Sequence, residues 1–242
     1  MLVFVSIATF NERENIAPLL TQIRQVSPDA HIIVVDDDSP DGTGQIVDEL
    51  AGTDDHIIAV HRPRKSGYAS AHKAAISLAL GRGADVIVTM DADFSHDPGV
   101  IPALIAGVAE SDIAIGSRYI RGGGVRDWPW HRRFLSATAN ALTRLCLGLS
   151  AHDCTSGFRA YRADLLRRLD LGIFATEGYA FLEESLYECR KLKARIAEVP
   201  IIFTDRFLGS SKMSRKIVWE ALFMVWRVWF QHGLRRSPKK KA

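Results

Sequence analysis

Apolar residues fall in two rhythms along this chain. Short β-branched runs recur at residues 2–8, 32–35, 57–60, 86–90 and 113–117, bounded by Gly, Pro, Asn or Asp. Between them, apolar positions three and four apart predict helices over 16–26, 43–50, 67–80 and 98–109. Pro18 is tolerable in the first turn of its helix, and Pro98 sits near the first position of another. Strands that alternate with helices predict an α/β fold on a Rossmann-like, mostly parallel, doubly wound sheet. After Gly116 the style changes. A Gly-rich, basic, aromatic loop over 118–130 leads to a helix over 132–147, and a polar turn at 153–159 runs into Ala160-Tyr161-Arg162. Helices over 163–169 and 179–192, then a strand over 196–203, complete the pattern. No repeat or inter-domain linker interrupts it.

Two strand ends carry acids. Residues 86–90 run into Asp91-Ala92-Asp93, and residues 32–35 into Asp36-Asp37-Asp38-Ser39-Pro40-Asp41-Gly42-Thr43. In open α/β sheets, ligands bind beyond the carboxyl ends of the strands. Two carboxylates one residue apart repel unless a cation lies between them, and a divalent metal carrying a diphosphate supplies one. An isolated Asp-x-Asp is more often a solvated turn or a helix cap; its place at a strand tip, with a second acidic strand end upstream, favours the metal. Asp41-Gly42 reads as turn chemistry. Neither a Gly-x-Gly-x-x-Gly nor a Gly-Lys-Ser/Thr phosphate loop is present, so a nucleotide is not held in the dehydrogenase or P-loop manner.

At 242 residues, 47% hydrophobic and 24% charged, the chain can bury a full core. A net charge of +3 gives no reason to expect nucleic acid. The three cysteines Cys146, Cys154 and Cys189 lack metal spacing and read as small buried hydrophobes in a reducing cytosol. The charge is concentrated at the end, where residues 235–242 hold five cations. Just before, residues 217–230 are apolar except for Glu220 and Arg227, which fall on one helical face with Gln231. As a helix that stretch covers about 21 Å against roughly 30 Å of hydrocarbon, too short to span. It suits the membrane interface, with the basic tail on anionic headgroups, or packing against the catalytic domain or a partner. The expected division is a catalytic domain at 1–213 and an amphipathic helix with a basic tail at 214–242.

Taken in order, the motifs resemble one family. They are Thr9-Phe10-Asn11-Glu12-Arg13-Glu14-Asn15, the turn from Val35 to Thr43, Asp91-Ala92-Asp93, Gly122-Gly123, Trp128 with Arg132 and Ser136, Thr155-Ser156-Gly157-Phe158-Arg159, Glu198-Val199-Pro200-Ile201, and Asp205-Arg206 with Gly209, Ser211 and Lys212. The set resembles family-two glycosyltransferases of the GT-A fold, most nearly the polyprenol-phosphate (dolichol-phosphate) mannosyltransferases, over residues 2–213. The resemblance implies transfer of mannose from GDP-mannose to a polyprenyl phosphate. It implies that Ala8, Phe10, Glu12, Val35 and Asp37 hold the donor's base and ribose. Asp91 and Asp93, with Ala92 between them, would take Mg or Mn and the diphosphate. Arg118, Arg132 and Ser136 would receive the lipid phosphate, and Arg206 and Lys212 would close over the donor. Such enzymes often have Pro and Tyr where Ala8 and Phe10 stand, and some use Gln as a metal ligand where Ser95 stands. Some carry C-terminal transmembrane helices, and forms without them can depend on a membrane subunit. The implied location is the cytosolic face of a membrane, held peripherally.

The chemistry can also be argued without the family. A departing diphosphate needs cationic charge, which the metal, Arg206 and Lys212 would supply. A lipid phosphate is already ionised, so it needs no general base; it needs positioning, and the planar fork of Arg suits phosphate. Ser136, one turn after Arg132, can add a hydrogen bond from the same face. Direct displacement inverts the anomeric centre, giving a β-linked product from an α-linked donor. A saccharide acceptor would instead need a base, with Asp153 or Glu184 as candidates. UDP-sugar donors, a nucleotidyltransferase and a non-catalytic membrane scaffold are the competing readings. Arg159 and Arg162 read equally well as surface cations, and His72 and His96 are left unassigned.

Overall fold

In the computed structural model, residues 1–172, 178 and 180–204 are described. Strands β1 (Val3–Thr9), β2 (His31–Asp36), β3 (Ile57–His61), β4 (Val86–Asp91) and β5 (Ile113–Ser117) alternate with helices α1 (Arg13–Val26), α2 (Thr43–Ala51), α3 (Tyr68–Gly81) and α4 (Ile101–Gly107). A 3₁₀ turn, Pro98–Val100, opens α4, so the helix predicted over 98–109 is shorter and tighter at its start. Then come β6 (Gly124–Val125), α5 (Trp130–Leu147), β7 (Arg159–Arg162), α6 (Ala163–Arg168), α7 (Phe181–Lys191), β8 (Ile196–Pro200) and β9 (Ile202–Phe203).

The main sheet has the order β3-β2-β1-β4-β7-β5-β8. All its pairs are parallel except those of β7, which runs antiparallel between β4 and β5. Side chains alternate faces along each strand. Val5, Ile7, Ile32 and Val34 pack against α1, α2 and α4, while Phe4, Ile33 and Val35 pack against α3, α6 and α7. The strand predicted over 196–203 is divided. Its first part joins the main sheet, and past Ile201, whose N–H donates to Ser117 O (3.0 Å), the chain pairs with β6 instead.

The β7 segment was not legible as a strand because it carries arginine at both ends. Arg159 is nonetheless fully buried, which corrects its reading as a surface cation. Its Nε donates to Ser156 O (2.7 Å), Nη2 to Cys154 O (2.8 Å), and Nη1 to Leu182 O (2.9 Å), Ser185 Oγ and Tyr161 Oη. A buried guanidinium is tolerable only when its donors are met in this way. Cys154 and Cys189 are buried, and burial pushes both thiols up to about 12. Cys146 is exposed on α5, contrary to the expectation that all three cysteines are buried. Among the described residues no helix is long and apolar enough to cross a membrane. The segments 205–213 and 214–242, and with them Arg206 and Lys212, lie outside the described residues.

Candidate active site

The sheet brings three predicted groups side by side. Ala8 of β1 pairs with Val35 of β2 on one side and Asp91 of β4 on the other. Neighbouring strands lie about 4.8 Å apart, so both acidic strand tips and the end of β1 share one edge. Past β1, Asn11 takes a positive φ of 58° and donates its N–H to Ser39 Oγ (3.0 Å), and Glu12 N–H donates to Thr43 Oγ1 (3.0 Å). This ties the loop carrying Phe10 and Glu12 to the acidic turn after β2. Asp41 serves that turn as expected: its Oδ1 accepts from Thr43 N and Oγ1, and Gly42 supplies the left-handed φ of 89°.

Asp37 is buried, and its carboxylate accepts from Arg62 and from the N–H groups of Ser66 (3.1 Å) and Gly67 (3.2 Å). It therefore anchors the 62–67 loop after β3. On the same loop, Lys65 places its ammonium 3.7 Å from the Phe10 ring centre.

At the tip of β4, Asp93 is buried and its Oδ1 accepts from Ser95 N (3.1 Å). Asp91 N–H donates to His96 Nδ1 (3.1 Å). That bond leaves the His96 proton on Nε2. Burial lowers the His96 pKa, outweighing the nearby Asp91 and Asp93, so the ring is neutral. It stacks on Phe158 at 4.9 Å. His96, unassigned from sequence, thus fixes the turn that aims the Asp pair. His72 is a core residue: its Nδ1 meets Ser6 Oγ (2.8 Å), and burial drops its pKa to about 3.

Ser95 Oγ is buried without a hydrogen-bond partner among the described residues. Two carboxylates with a spare hydroxyl beside them form a hard-oxygen donor set that fits Mg or Mn. Among the described residues no third His, Cys, Asp or Glu joins them, so substrate oxygens and water would complete the shell. The polar turn at 153–159 packs beneath: Thr89 Oγ1 donates to Gly157 O (2.7 Å), and a Cβ at Gly157 would collide with the Tyr68 hydroxyl and lie 3.6 Å from Asp91 Oδ1.

The residues expected to receive the acceptor are linked through Tyr119, Trp128 and Phe203, though not as the sequence suggested. Arg118 is buried in a bidentate pair with Asp153, Nε to Oδ2 at 2.7 Å and Nη2 to Oδ1 at 2.8 Å, and Nη2 also donates to Thr155 Oγ1 (2.6 Å). Burial disfavours the charged form of both groups, yet their pairing wins. The Asp153 pKa lies below, and the Arg118 pKa above, the ordinary value. Fully buried and committed to Arg118, Asp153 is unsuited to act as a base. Tyr119 Oη donates to Ser136 Oγ (2.7 Å), and the Arg132 guanidinium lies 3.9 Å from the Trp128 ring centre. Asn140 secures α5 to the 153–157 turn through Cys154 N and Thr155 Oγ1. Phe203 joins the two halves, with His96 at 5.8 Å, Trp128 at 5.6 Å and Arg118 at 5.4 Å from its ring. Tyr119, Asp153 and Asn140 were missed as structural members of this cluster, because no local pattern marks partners so far apart in sequence.

Residues 4–170 match glycosyl transferase family 2. The polyprenol monophosphomannose synthase of Mycolicibacterium smegmatis is 46% identical over 223 residues, 91% of this chain and 84% of that one. The chain belongs to glycosyl transferase family 2. The undecaprenyl-phosphate mannosyltransferase of Micrococcus luteus, another relative, is 43% identical over 227 residues, 94% and 93% of the two chains. Among solved structures, glucosyl-3-phosphoglycerate synthase from Mycobacterium tuberculosis with Mn2+, UDP-glucose and phosphoglyceric acid superposes with a TM-score of 0.64 at 17% identity, over 96% of this chain and 80% of that one. A mannosyltransferase from Pyrobaculum calidifontis, solved with GDP-Man and Mn2+, gives 0.61 at 16% identity, over 97% and 64%. These likenesses establish the GT-A architecture of this family-two glycosyltransferase.

Proposed function

We propose that this family-two glycosyltransferase moves mannose from GDP-mannose to a polyprenyl phosphate with inversion at the anomeric carbon. The carrying observation is the division of charge along one edge of the sheet. A carboxylate pair stands at the tip of β4, while Arg118, Tyr119, Ser136 and Arg132 form a cationic, hydroxyl-bearing cluster beside it. The carboxylate within that cluster, Asp153, is buried in an ion pair. Such a site positions an acceptor that is already ionised; it does not deprotonate a hydroxyl. The names of the relatives at 46% and 43% identity support mannose as the sugar and a polyprenyl phosphate as the acceptor.

Asp91, Asp93 and the Ser95 hydroxyl would hold a divalent cation, which neutralises diphosphate charge as the sugar departs. Phe10 and Glu12, on the loop after β1, would take the base and ribose. Arg118 keeps its pairing with Asp153 and presents its remaining edge to the acceptor, with Ser136 and Arg132 one helical turn apart beside it. Arg206 and Lys212 remain candidates for closing over the donor.

We further propose that α5 contacts a membrane surface. Trp130, Phe134, Leu135, Leu142 and Leu145 are exposed large apolar side chains on this one helix, with Arg121, Arg126 and Arg133 exposed nearby. Residues 217–230 and the basic tail would add to that contact.

The test is turnover of radiolabelled GDP-mannose with short polyprenyl phosphates and Mg or Mn. Asp91→Asn and Asp93→Asn are expected to lose roughly a hundredfold or more in kcat with an unchanged melting temperature. Wild-type turnover by either variant would remove the metal assignment, and turnover of UDP-sugars alone would remove the donor assignment.

A further inference from the structure

The sheet acts as a ruler for a nucleotide. The metal-binding tip belongs to β4, and β1, β2 and β3 follow outward from it. At about 4.8 Å per strand, the β3 tip lies on the order of 14 Å from the β4 tip. The loop after β3 therefore rises on the side of the base of a nucleoside diphosphate whose phosphates lie at β4, and Lys65 reaches back from it to the ring at the end of β1.

That loop is built to hold one side chain. Arg62 N–H donates to Asp36 O (2.9 Å), its guanidinium is paired with Asp37, and Nη2 donates to Gly67 O (3.2 Å). Ser66 and Gly67 donate their N–H groups to the other Asp37 oxygen, and Gly67 takes a φ of 93° that favours glycine. Lys65 lies between these anchors. It is exposed, yet its ammonium covers the face of Phe10, the aromatic ring at the end of β1.

We propose that Lys65 reads the nucleobase and makes the site selective for guanine, an inference that rests on the GDP-sugar reading above. A purine stacking on Phe10 displaces the ammonium from the ring face to the purine rim. An exposed cation–π contact is weak and exchanges readily. On that rim guanine presents O6 and N7, both acceptors, to an ammonium that only donates. Adenine presents an amino donor in place of O6, which the ammonium cannot satisfy. Asp37 then acts as a positioning residue, because it holds the loop that aims Lys65.

The experiment is calorimetric titration of the full-length protein with GDP, IDP, ADP and UDP in the presence of Mn2+. The wild type is expected to bind GDP and IDP alike, since inosine keeps O6 and N7, and to bind ADP at least about tenfold more weakly. Lys65→Met is expected to weaken GDP and IDP by roughly tenfold or more while ADP and UDP change less than about twofold, and Lys65→Arg to restore most of the loss. An equal loss for all four nucleotides would assign Lys65 to the diphosphate and overturn the inference, as would no loss at all. A preference for GDP over ADP that survives Lys65→Met undiminished overturns this inference alone. A wild type that binds GDP no better than ADP and UDP overturns the donor reading and the inference together.

Discussion

Glu183 illustrates how burial alone sets a residue's chemistry in this protein. It lies on α7, buried, and Oε2 has no hydrogen-bond partner among the described residues. Burial pushes its pKa up to about 7, against the opposing pull of Arg159. A carboxyl whose folded-state pKa exceeds its unfolded value contributes stability that is complete below about pH 4.5 and is lost as pH rises through about 7. Glu183→Gln keeps the neutral shape at every pH. Its unfolding free energy is expected to match the wild type near pH 4.5 and to exceed it by about 1–3 kcal/mol at pH 8, measured by urea denaturation. A difference that does not vary with pH would contradict this. The Arg118–Asp153 pair makes the opposite point. Asp153→Ala strands a buried guanidinium and is expected to cost about 3–5 kcal/mol in the same measurement.

Among the elements, α5 has two jobs on two faces. Asn140, Thr143 and Leu147 are buried against the domain and bring Ser136 to Tyr119, while Trp130, Phe134 and Leu145 face outward. Replacing Phe134 and Leu145 together by Glu is expected to lower sedimentation with anionic liposomes by roughly tenfold or more, while GDP affinity stays within about twofold. Equal sedimentation of the two proteins would remove the membrane role of this helix. The predicted start of α5 at residue 132 falls two short of Trp130, because Trp128 and Pro129 hide the onset. Strands β1 to β5 were legible because their apolar runs have both faces covered. β7 was not, since Arg159 looks polar in sequence and becomes a core residue only through acceptors from Ser156, Cys154 and Leu182. The proposed site was read from sequence in two ways: Asp91 and Asp93 from their place at a strand tip, Arg118 and Ser136 from the family resemblance. The Asp153 clamp on Arg118 and the His96 bond behind Asp91 needed the fold to bring distant segments together.

Across the whole molecule, the order of the sheet arranges a reaction from one side to the other. On the proposed reading, the β3, β2 and β1 tips carry Lys65, Asp37 and Phe10 on the side of the base, β4 carries the Asp pair, and the loop after β5 and the start of α5 carry Arg118, Ser136 and Arg132 on the side of an anionic acceptor. Phe203 bridges the turn after β4, through His96, and the loop before α5, through Trp128. The central claim is that this arrangement delivers a sugar to an already ionised phosphate, the carboxylate described within the acceptor cluster, Asp153, being held in an ion pair rather than serving as a base for a hydroxyl. The direct measurement gives the protein GDP-mannose, Mn2+ and a choice between a short polyprenyl phosphate and the matching polyprenol. Mannosylation of the phosphate with release of GDP, and none of the alcohol, is the expected result; comparable mannosylation of the alcohol would contradict it.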